Sequence, residues 1–282
     1  FLKIKQNVKE TTIDIASAVL IGNPKFNLVD VHYDNKTKKK EKSAKTRMVD
    51  FTNIISDTLN TRSGISELPA TQIEIEEIEN LLSSNDWKVE LLSGVDANEF
   101  KVKSISSPKL LHVATHGFFL PDKQITTSTG LLALTPGINK NYEQNQPYLR
   151  SGILLSGAQN TIENNLQGAD NGIMSAYEAK NLNLDNTDLV VLSACETGRG
   201  KFVTGEGVFG LQRAFLEAGA KTVIMTLWKV DDKVTSELMR LFYTNWIGNK
   251  QSKREALKNA QISIKEKYYS PYYWGPFVLV GQ

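Results

Sequence analysis

Short, continuously apolar segments that alternate with amphipathic ones constrain the fold of this chain more than any other feature. The segments typical of buried strands lie at 17–22, 87–92, 110–115, 152–155, 188–193, 221–227 and 277–281. The segments typical of helices lie at 70–82, 173–180, 207–218, 232–245 and 253–267. Strands that are apolar on both faces are covered on both faces, so this alternation predicts an α/β fold with a mostly parallel sheet between two layers of helices.

Composition and net charge limit the kinds of molecule that this chain is expected to bind. The chain has 282 residues, of which 40% are hydrophobic, and this suits one large α/β domain or two small ones. The net charge of +2 argues against a dedicated nucleic-acid or anionic-membrane binder, because such proteins are strongly basic. No apolar stretch reaches the roughly 18 to 20 residues of a membrane span, and the start, Phe1-Leu-Lys-Ile-Lys, does not resemble a signal peptide. We therefore expect a cytoplasmic protein.

Cysteine and histidine are scarce. A single cysteine excludes an internal disulfide and is compatible with a reducing compartment. With only three histidines in addition, we expect neither a metal site nor a cofactor.

Two polar stretches interrupt the alternation. The cationic run 36–45 and the long connection at about 120–150 are expected to be surface loops. No aromatic residues interleave with the lysines of 36–45, which favours a solvated loop over a nucleic-acid patch. Because the first residue is Phe1 rather than Met, we expect the chain to be one compact unit excised from a longer protein.

The only cysteine and one histidine each follow a predicted buried strand. His116 follows the apolar run 110–115, and Cys195 ends the run that begins at Asp188. Ligands of parallel sheets bind beyond the carboxyl ends of strands, so both side chains are expected at one edge of the sheet. A cysteine nucleophile needs a neighbouring base that generates and orients its thiolate, and His116 is the candidate for that base. A lone cysteine is otherwise most often a small buried hydrophobe, but glycine and polar residues surround this one on its carboxyl side.

Several strings resemble those of CHAT-domain proteins, a family of caspase-like cysteine peptidases related to separases. The strings are Leu68-Pro-Ala-Thr-Gln-Ile-Glu74, His112-Val-Ala-Thr-His116-Gly117, Ser151-Gly-Ile-Leu-Leu155, Leu189-Val-Val-Leu-Ser-Ala-Cys195-Glu-Thr-Gly198, Gly205-Glu-Gly207, Leu227-Trp228, Val230-Asp-Asp232 and Phe277-Val-Leu-Val-Gly281. The resemblance extends from about Ile21 to the C-terminus. It implies a caspase-like three-layer sandwich, with residues 1–66 as an N-terminal strand and basic loop and residues 67–282 as the catalytic core.

The same resemblance implies a cysteine endopeptidase that cleaves a protein substrate. Cys195 is the expected nucleophile, and its N–H together with that of Gly117 is expected to form the oxyanion hole. His116 would protonate the leaving amine and later activate water. A fused N-terminal repeat or sensor region, or a separate activator protein, is expected to control activity.

The expected substrate pocket depends on acidic residues after the strand at 221–227. By similarity to separases, Asp232 would bind a basic residue, which predicts cleavage after Arg or Lys. Capping of the following helix explains Asp231 and Asp232 equally directly. Ser151 is a candidate wall of the cleft, and Glu206 is a candidate substrate-binding residue that orders its loop.

Other interpretations of these residues remain open. His112 lies on the same face of its strand as His116 and is expected to be a hydrogen-bonded core residue, whereas His32 is expected to be incidental. The chain could instead be a catalytically silent caspase-like interaction module. The glycines between 198 and 210 permit a nucleotide-responsive switch, although they match no phosphate-binding fingerprint. Self-cleavage would be expected at Lys123, Lys140 or Arg150.

Overall fold

The computed structural model describes residues 15–28, 64–119, 148, 150–164, 170–193, 206–228 and 231–282. Several residues singled out in the sequence lie outside these ranges, namely Cys195, His32, Lys123, Lys140, the run 36–45 and most of 120–150. The side chains of 206–209 also lie outside the description.

The described strands form two sheets. They are β1 (Ser17–Pro24), β2 (Lys88–Gly94), β3 (Leu110–Ala114), β4 (Gly117–Phe119), β5 (Ser151–Leu154), β6 (Ile173–Ser175), β7 (Leu189–Leu192), β8 (Thr222–Thr226) and β9 (Phe277–Gly281). The main sheet has the order β2-β1-β3-β7-β8-β9, and the small sheet has the order β4-β5-β6. In the main sheet β1, β2, β3, β7 and β8 run parallel and β9 is antiparallel to β8, while the small sheet is antiparallel.

The helices that the structure describes alternate with these strands. They are α1 (Pro69–Ser83), α2 (Glu99–Lys103), α3 (Ala158–Asn164), α4 (Ala176–Ala179), α5 (Glu206–Glu217), α6 (Asp232–Tyr243), α7 (Lys253–Lys267) and α8 (Pro271–Trp274). A π-helical turn, Thr244–Gly248, extends α6.

Alternate residues of the main sheet pack into two separate cores. On β1, Ala18 and Leu20 join a cluster with α1, α6 and α7, whereas Val19 and Ile21 join a cluster with α4, α5 and the small sheet. Successive side chains of a strand point to opposite faces, so an uninterrupted apolar strand supplies both cores. The expected three-layer architecture, a mostly parallel sheet with helices on both faces, is confirmed.

The first described strand lies inside the main sheet. β1 pairs with β2 from Ser17 to Pro24 and with β3 from Ala18 to Gly22. The strand contributed by the 1–66 segment is therefore hydrogen-bonded on both sides by strands of the 67–282 segment.

One short-range expectation was wrong. The helix expected at 173–180 is instead β6 followed by the short helix α4, which begins at a capping box of Ser175 and Glu178. Of the surface loop expected at 120–150, the structure describes Tyr148 and Arg150, which are buried at 8% and 3% exposure. The elements β4, α2 and α3 were not predicted, because segments of three to seven residues are too short to show a hydrophobic period.

Candidate active site

His116 lies where the chain passes from the main sheet into the small sheet. β3 ends at Ala114 and β4 begins at Gly117. The hydroxyl of Thr115 donates to the carbonyl of Leu154 at 2.5 Å, and the N–H of Leu154 donates to the carbonyl of His116 at 2.8 Å. The backbone of this step is thus attached to β5, and the histidine is fixed at the carboxyl end of β3.

The imidazole of His116 is held by a carbonyl and an aromatic ring. Its Nε2 lies 2.8 Å from the carbonyl oxygen of Ser66, and the ring stacks on Phe26 with 5.3 Å between centroids. A carbonyl oxygen only accepts hydrogen bonds, so Nε2 carries the hydrogen and Nδ1 carries the lone pair of the neutral ring. This is the tautomer in which Nδ1 acts as the base. The side chain is buried at 7% exposure, which restricts it to this orientation.

An irregularity at the carboxyl end of β1, between Gly22 and Pro24, supports the segment that carries Ser66. Thr71 accepts from the N–H of Asn23 at 2.8 Å and donates to the carbonyl of Leu68 at 2.7 Å. A Cβ on Gly22 would lie 2.8 Å from the Thr71 carbonyl, so only glycine lets the start of α1 approach this closely. Asn23 adopts a φ of 46°, a left-handed conformation that asparagine tolerates. The Gly22-Asn23 pair therefore keeps α1 against the sheet edge.

The strand that leads to Cys195 is the direct neighbour of the strand that leads to His116. β3 and β7 are parallel and pair from Leu110 with Leu189 to Val113 with Leu192. The N–H of Ser193 continues this ladder by donating to the carbonyl of Val113 at 2.9 Å. The predicted common edge of the two strands is confirmed as far as Ser193, while Cys195 itself lies beyond the described residues.

Gly117 and Ser151 occupy the small sheet. Gly117 is opposite Ile153, next to the hydrogen-bonded pair of His116 and Leu154. The antiparallel alternation places Gly117 at a non-hydrogen-bonded position, where its N–H points away from β5. Ser151 is opposite Phe119 and is fully buried.

The two aspartates after β8 have different surroundings. Asp231 caps α6, since its Oδ1 accepts from the N–H groups of Lys233 at 3.1 Å and Val234 at 3.2 Å. The capping interpretation is therefore confirmed for Asp231. Asp232 is the first residue of α6 and is exposed, whereas the expected arginine pocket called for a buried carboxylate.

The remaining site predictions have mixed outcomes. Glu206 is the first residue of α5, and its side chain lies outside the described part. Arg150 is buried and leads directly into β5, the central strand of the small sheet, so the bond after it is protected from cleavage in this structure. The expectation of a core position for His112 is confirmed, since it is fully buried with both ring nitrogens in hydrogen bonds.

Sequence reasoning missed both residues that hold the imidazole. Ser66 acts through its carbonyl, which every residue type carries, so no signal in its side chain could have identified it. Phe26 lies just after the end of β1, and its aromatic ring after a strand end was the available signal.

No group of three or more His, Cys, Asp or Glu that could hold a metal occurs among the described residues. Within the same residues, no helix combines the length and the apolar character that a membrane span requires.

Known proteins resemble the chain in sequence and in structure. It is 27% identical over 209 residues to Tetratricopeptide repeat protein 28 of Mus musculus and 26% identical over 209 residues to the Homo sapiens protein. Each alignment covers 68% of this chain and only 8% of the relative. The structure is similar to the crystal structure of the Arg specific cysteine proteinase gingipain R, with a TM-score of 0.49 and 11% identity, over 95% of this chain and 48% of that one.

A model of the CHAT domain matches residues 3–282, nearly the whole sequence. The resemblance carried by the His112–Gly117 and Leu189–Gly198 strings is thereby confirmed. The chain belongs to the CHAT domain family.

Proposed function

We propose that the chain is a cysteine endopeptidase that hydrolyses a protein substrate with Cys195 as nucleophile and His116 as base. The observation that carries the proposal is the hydrogen bond of 2.8 Å from His116 Nε2 to the Ser66 carbonyl. It orients the ring with Nδ1 as its basic nitrogen at the edge where β3 and β7 end side by side. Membership in the CHAT domain family supports the same assignment.

In the proposed reaction, His116 Nδ1 takes the thiol proton of Cys195 and the thiolate sulfur attacks the substrate carbonyl carbon. The N–H groups of Gly117 and Cys195 stabilise the tetrahedral oxyanion. The carbon–nitrogen bond then breaks as Nδ1–H protonates the leaving amine, which leaves a thioester. Water, deprotonated by His116, attacks the thioester and releases the carboxylic acid and the thiol. The Ser66 carbonyl stabilises the imidazolium that forms at each proton transfer.

Cleavage after Arg or Lys is a further part of the proposal and depends on Asp232. This carboxylate is exposed after β8, two strands from β3 in the main sheet. An exposed ion pair contributes only about 0 to 1 kcal/mol, so a strong preference requires the bound substrate to exclude water from Asp232. Asp232→Asn is expected to raise KM for basic substrates, while Asp231→Asn, which keeps the helix cap, serves as the matched control. Equal KM values for both variants and the wild type would remove Asp232 from the pocket.

The single cysteine allows a direct test of the dyad. Because no other thiol is present, the rate of alkylation by iodoacetamide as a function of pH reports Cys195 alone. We expect a thiol pKa below the ordinary value of about 8.5 in the wild type and a return to about 8.5 in His116→Ala. Identical profiles for the two proteins would refute the dyad, whether or not the isolated chain is active.

Turnover is tested on a mixed protein-substrate library under reducing conditions, with and without a chelator. Cleavage is expected to survive the chelator and to fall at least about 100-fold in His116→Ala and Cys195→Ala. The cleaved sites report the residue preference. Thermal unfolding of each variant separates loss of chemistry from loss of the fold.

The second candidate is an interaction module without catalysis. It is favoured by the relatives, which are named as tetratricopeptide repeat proteins and are far longer than the aligned region. Whether the chain is a peptidase or an interaction module, the expected partner is a fused repeat region or a separate activator protein. A Cys195→Ala protein that retains every partner and every biological effect of the wild type would favour this candidate over the peptidase.

A further inference from the structure

Three buried side chains from three elements form a hydrogen-bonded network next to the proposed site. His112 of β3 is fully buried, with its Nε2 3.0 Å from Oε1 of Glu74 in α1 and its Nδ1 2.9 Å from the hydroxyl of Tyr243 in α6. Glu74 is 3% exposed and Tyr243 is fully buried. The proposed reaction uses none of these groups directly.

The chemistry of the partners assigns the hydrogens. An ionised carboxylate only accepts, so Nε2–H of His112 donates to Glu74. The Tyr243 hydroxyl, which can donate or accept, bonds Nδ1 of the same ring. Burial, with a smaller contribution from the charge of Glu74, raises the pKa of Tyr243 well above its ordinary value and keeps the phenol protonated. The network therefore joins Tyr243 of α6 to Glu74 of α1 through the ring of His112.

The buried network and the hydrogen bond between His116 and Ser66 both connect α1 to β3, at two different positions along the strand. Glu74 of α1 bonds His112 of β3, and Ser66, just before α1, bonds His116, just after β3. His112 and His116 are four residues apart, which corresponds to about 13 Å of extended chain. The offset of α1 along β3 sets the position of the Ser66 carbonyl relative to the imidazole of His116.

We infer that Glu74, His112 and Tyr243 are positioning residues that fix this offset and thereby hold His116 in its reactive orientation. The inference rests on the proposed function. Apolar packing around the network is non-directional, whereas a buried hydrogen bond weakens as its length and angle depart from a narrow preferred range. Breaking the Glu74–His112 bond lets α1 shift, and the Ser66 carbonyl shifts with it.

The test compares Glu74→Ala with Glu74→Gln. Glu74→Ala is expected to lower both the alkylation rate of Cys195 at pH 7 and kcat by about 10- to 100-fold, with a much smaller change in KM, because misplacing a catalytic group by about 1 Å costs this much. Glu74→Gln is expected to restore most of the rate, since its amide oxygen still accepts from Nε2–H of His112.

Ile78→Ala is the matched control for lost stability. Ile78 is buried in the same core one turn further along α1, and none of its side-chain atoms can hydrogen-bond. This variant is expected to unfold at a lower temperature but to keep the alkylation profile of the wild type. The inference would be overturned if Ile78→Ala and Glu74→Ala lost equal stability and slowed the alkylation of Cys195 equally. It would also be overturned if Glu74→Gln did not restore the rate.

Two further measurements distinguish failure of the positioning role from failure of the proposed function. If Glu74→Ala does not fold, Tyr243→Phe removes a single hydroxyl and is expected to slow alkylation in the same direction, and an unchanged rate would contradict the positioning role. Wild type and His116→Ala are measured in parallel. Equal alkylation rates of Cys195 in these two proteins would reject the proposed function. If His116→Ala is slower than the wild type but Glu74→Ala reacts at the wild-type rate, only the positioning role is rejected.

Discussion

At the scale of single residues, Gly152 of β5 shows how tightly the small sheet is packed beside His116. A Cβ at this position would meet the Met174 carbonyl and two ring carbons of Phe118 at 2.6 and 2.7 Å. Neither the backbone of β6 nor a fully buried ring can move aside without disturbing the strands around it. Glycine at 152 is therefore a packing requirement of the sheet that holds Gly117 and His116.

Gly152→Ala is expected to lower the free energy of unfolding by about 1 to 3 kcal/mol, the usual cost of overpacking. Gly248→Ala is the control, because a Cβ there would meet only a Thr244 methyl carbon at 4.0 Å. Denaturant unfolding of both variants measures the difference. Equal stabilities of the two variants would contradict the packing requirement.

At the scale of secondary-structure elements, Glu99 connects α2 to the small sheet. Its Oε1 lies 2.7 Å from Nζ of Lys103, and its Oε2 accepts from the N–H of Gly172, just before β6, at 3.0 Å. Lys103 also lies 3.2 Å from Glu178 of α4. Burial raises the pKa of Glu99 from 4.5 to about 7, although the hydrogen bond from Lys103 opposes the rise.

This connection makes stability depend on pH in a defined window. The folded pKa of about 7 exceeds the ordinary value of 4.5, so the folded state binds the proton more tightly than the unfolded state. The contribution of Glu99 to the free energy of unfolding is complete below pH 4.5. It is lost as the pH rises to about 7, at no more than about 1.4 kcal/mol per pH unit. The melting temperature of the wild type relative to Glu99→Gln is therefore expected to fall between pH 5 and pH 7.

Glu77→Gln, which removes an exposed carboxylate from α1, controls for the change in net charge. Its melting temperature relative to the wild type is expected to change less over the same interval. A difference between the wild type and Glu99→Gln that is constant from pH 5 to pH 7 would show that Glu99 does not titrate there.

The elements differ in how far the sequence predicts them. The strands of the main sheet were predictable because burial on both faces produces continuous apolar runs, as in Leu110–Ala114 and Leu189–Leu192. Of the small sheet, the sequence predicted only the segment 152–155, which is most of β5, because strands as short as Gly117–Phe119 carry no measurable period. His116 was identified from its place after a strand, whereas the Ser66 carbonyl and the Glu74–His112 bond depend on how far α1 lies along β3, which only tertiary packing determines.

At the scale of the whole molecule, the position of β1 decides which segments fold together. β1 is bonded to β2 on one side and β3 on the other, and its residues Ala18, Val19, Leu20 and Ile21 contribute to both cores. Removing it would leave β2 without a hydrogen-bonded neighbour, leave β3 paired only with β7, and open both cores to water.

The fragment 67–282 alone is therefore expected to lack a cooperative thermal transition and to expose apolar surface, whereas the full chain of 282 residues is expected to unfold cooperatively. Calorimetry and dye binding of the two proteins measure this difference. A sharp transition in the fragment at the temperature of the full chain would mean that the sheet tolerates the loss of its second strand.

A step of two residues, Thr115 and His116, joins β3 to β4, so the imidazole belongs to both sheets at once. A displacement of the small sheet therefore reaches the ring through the main chain and through the hydrogen bonds that join Thr115 and His116 to Leu154. We therefore expect a partner that binds the small sheet to change the reactivity of this site without contacting His116.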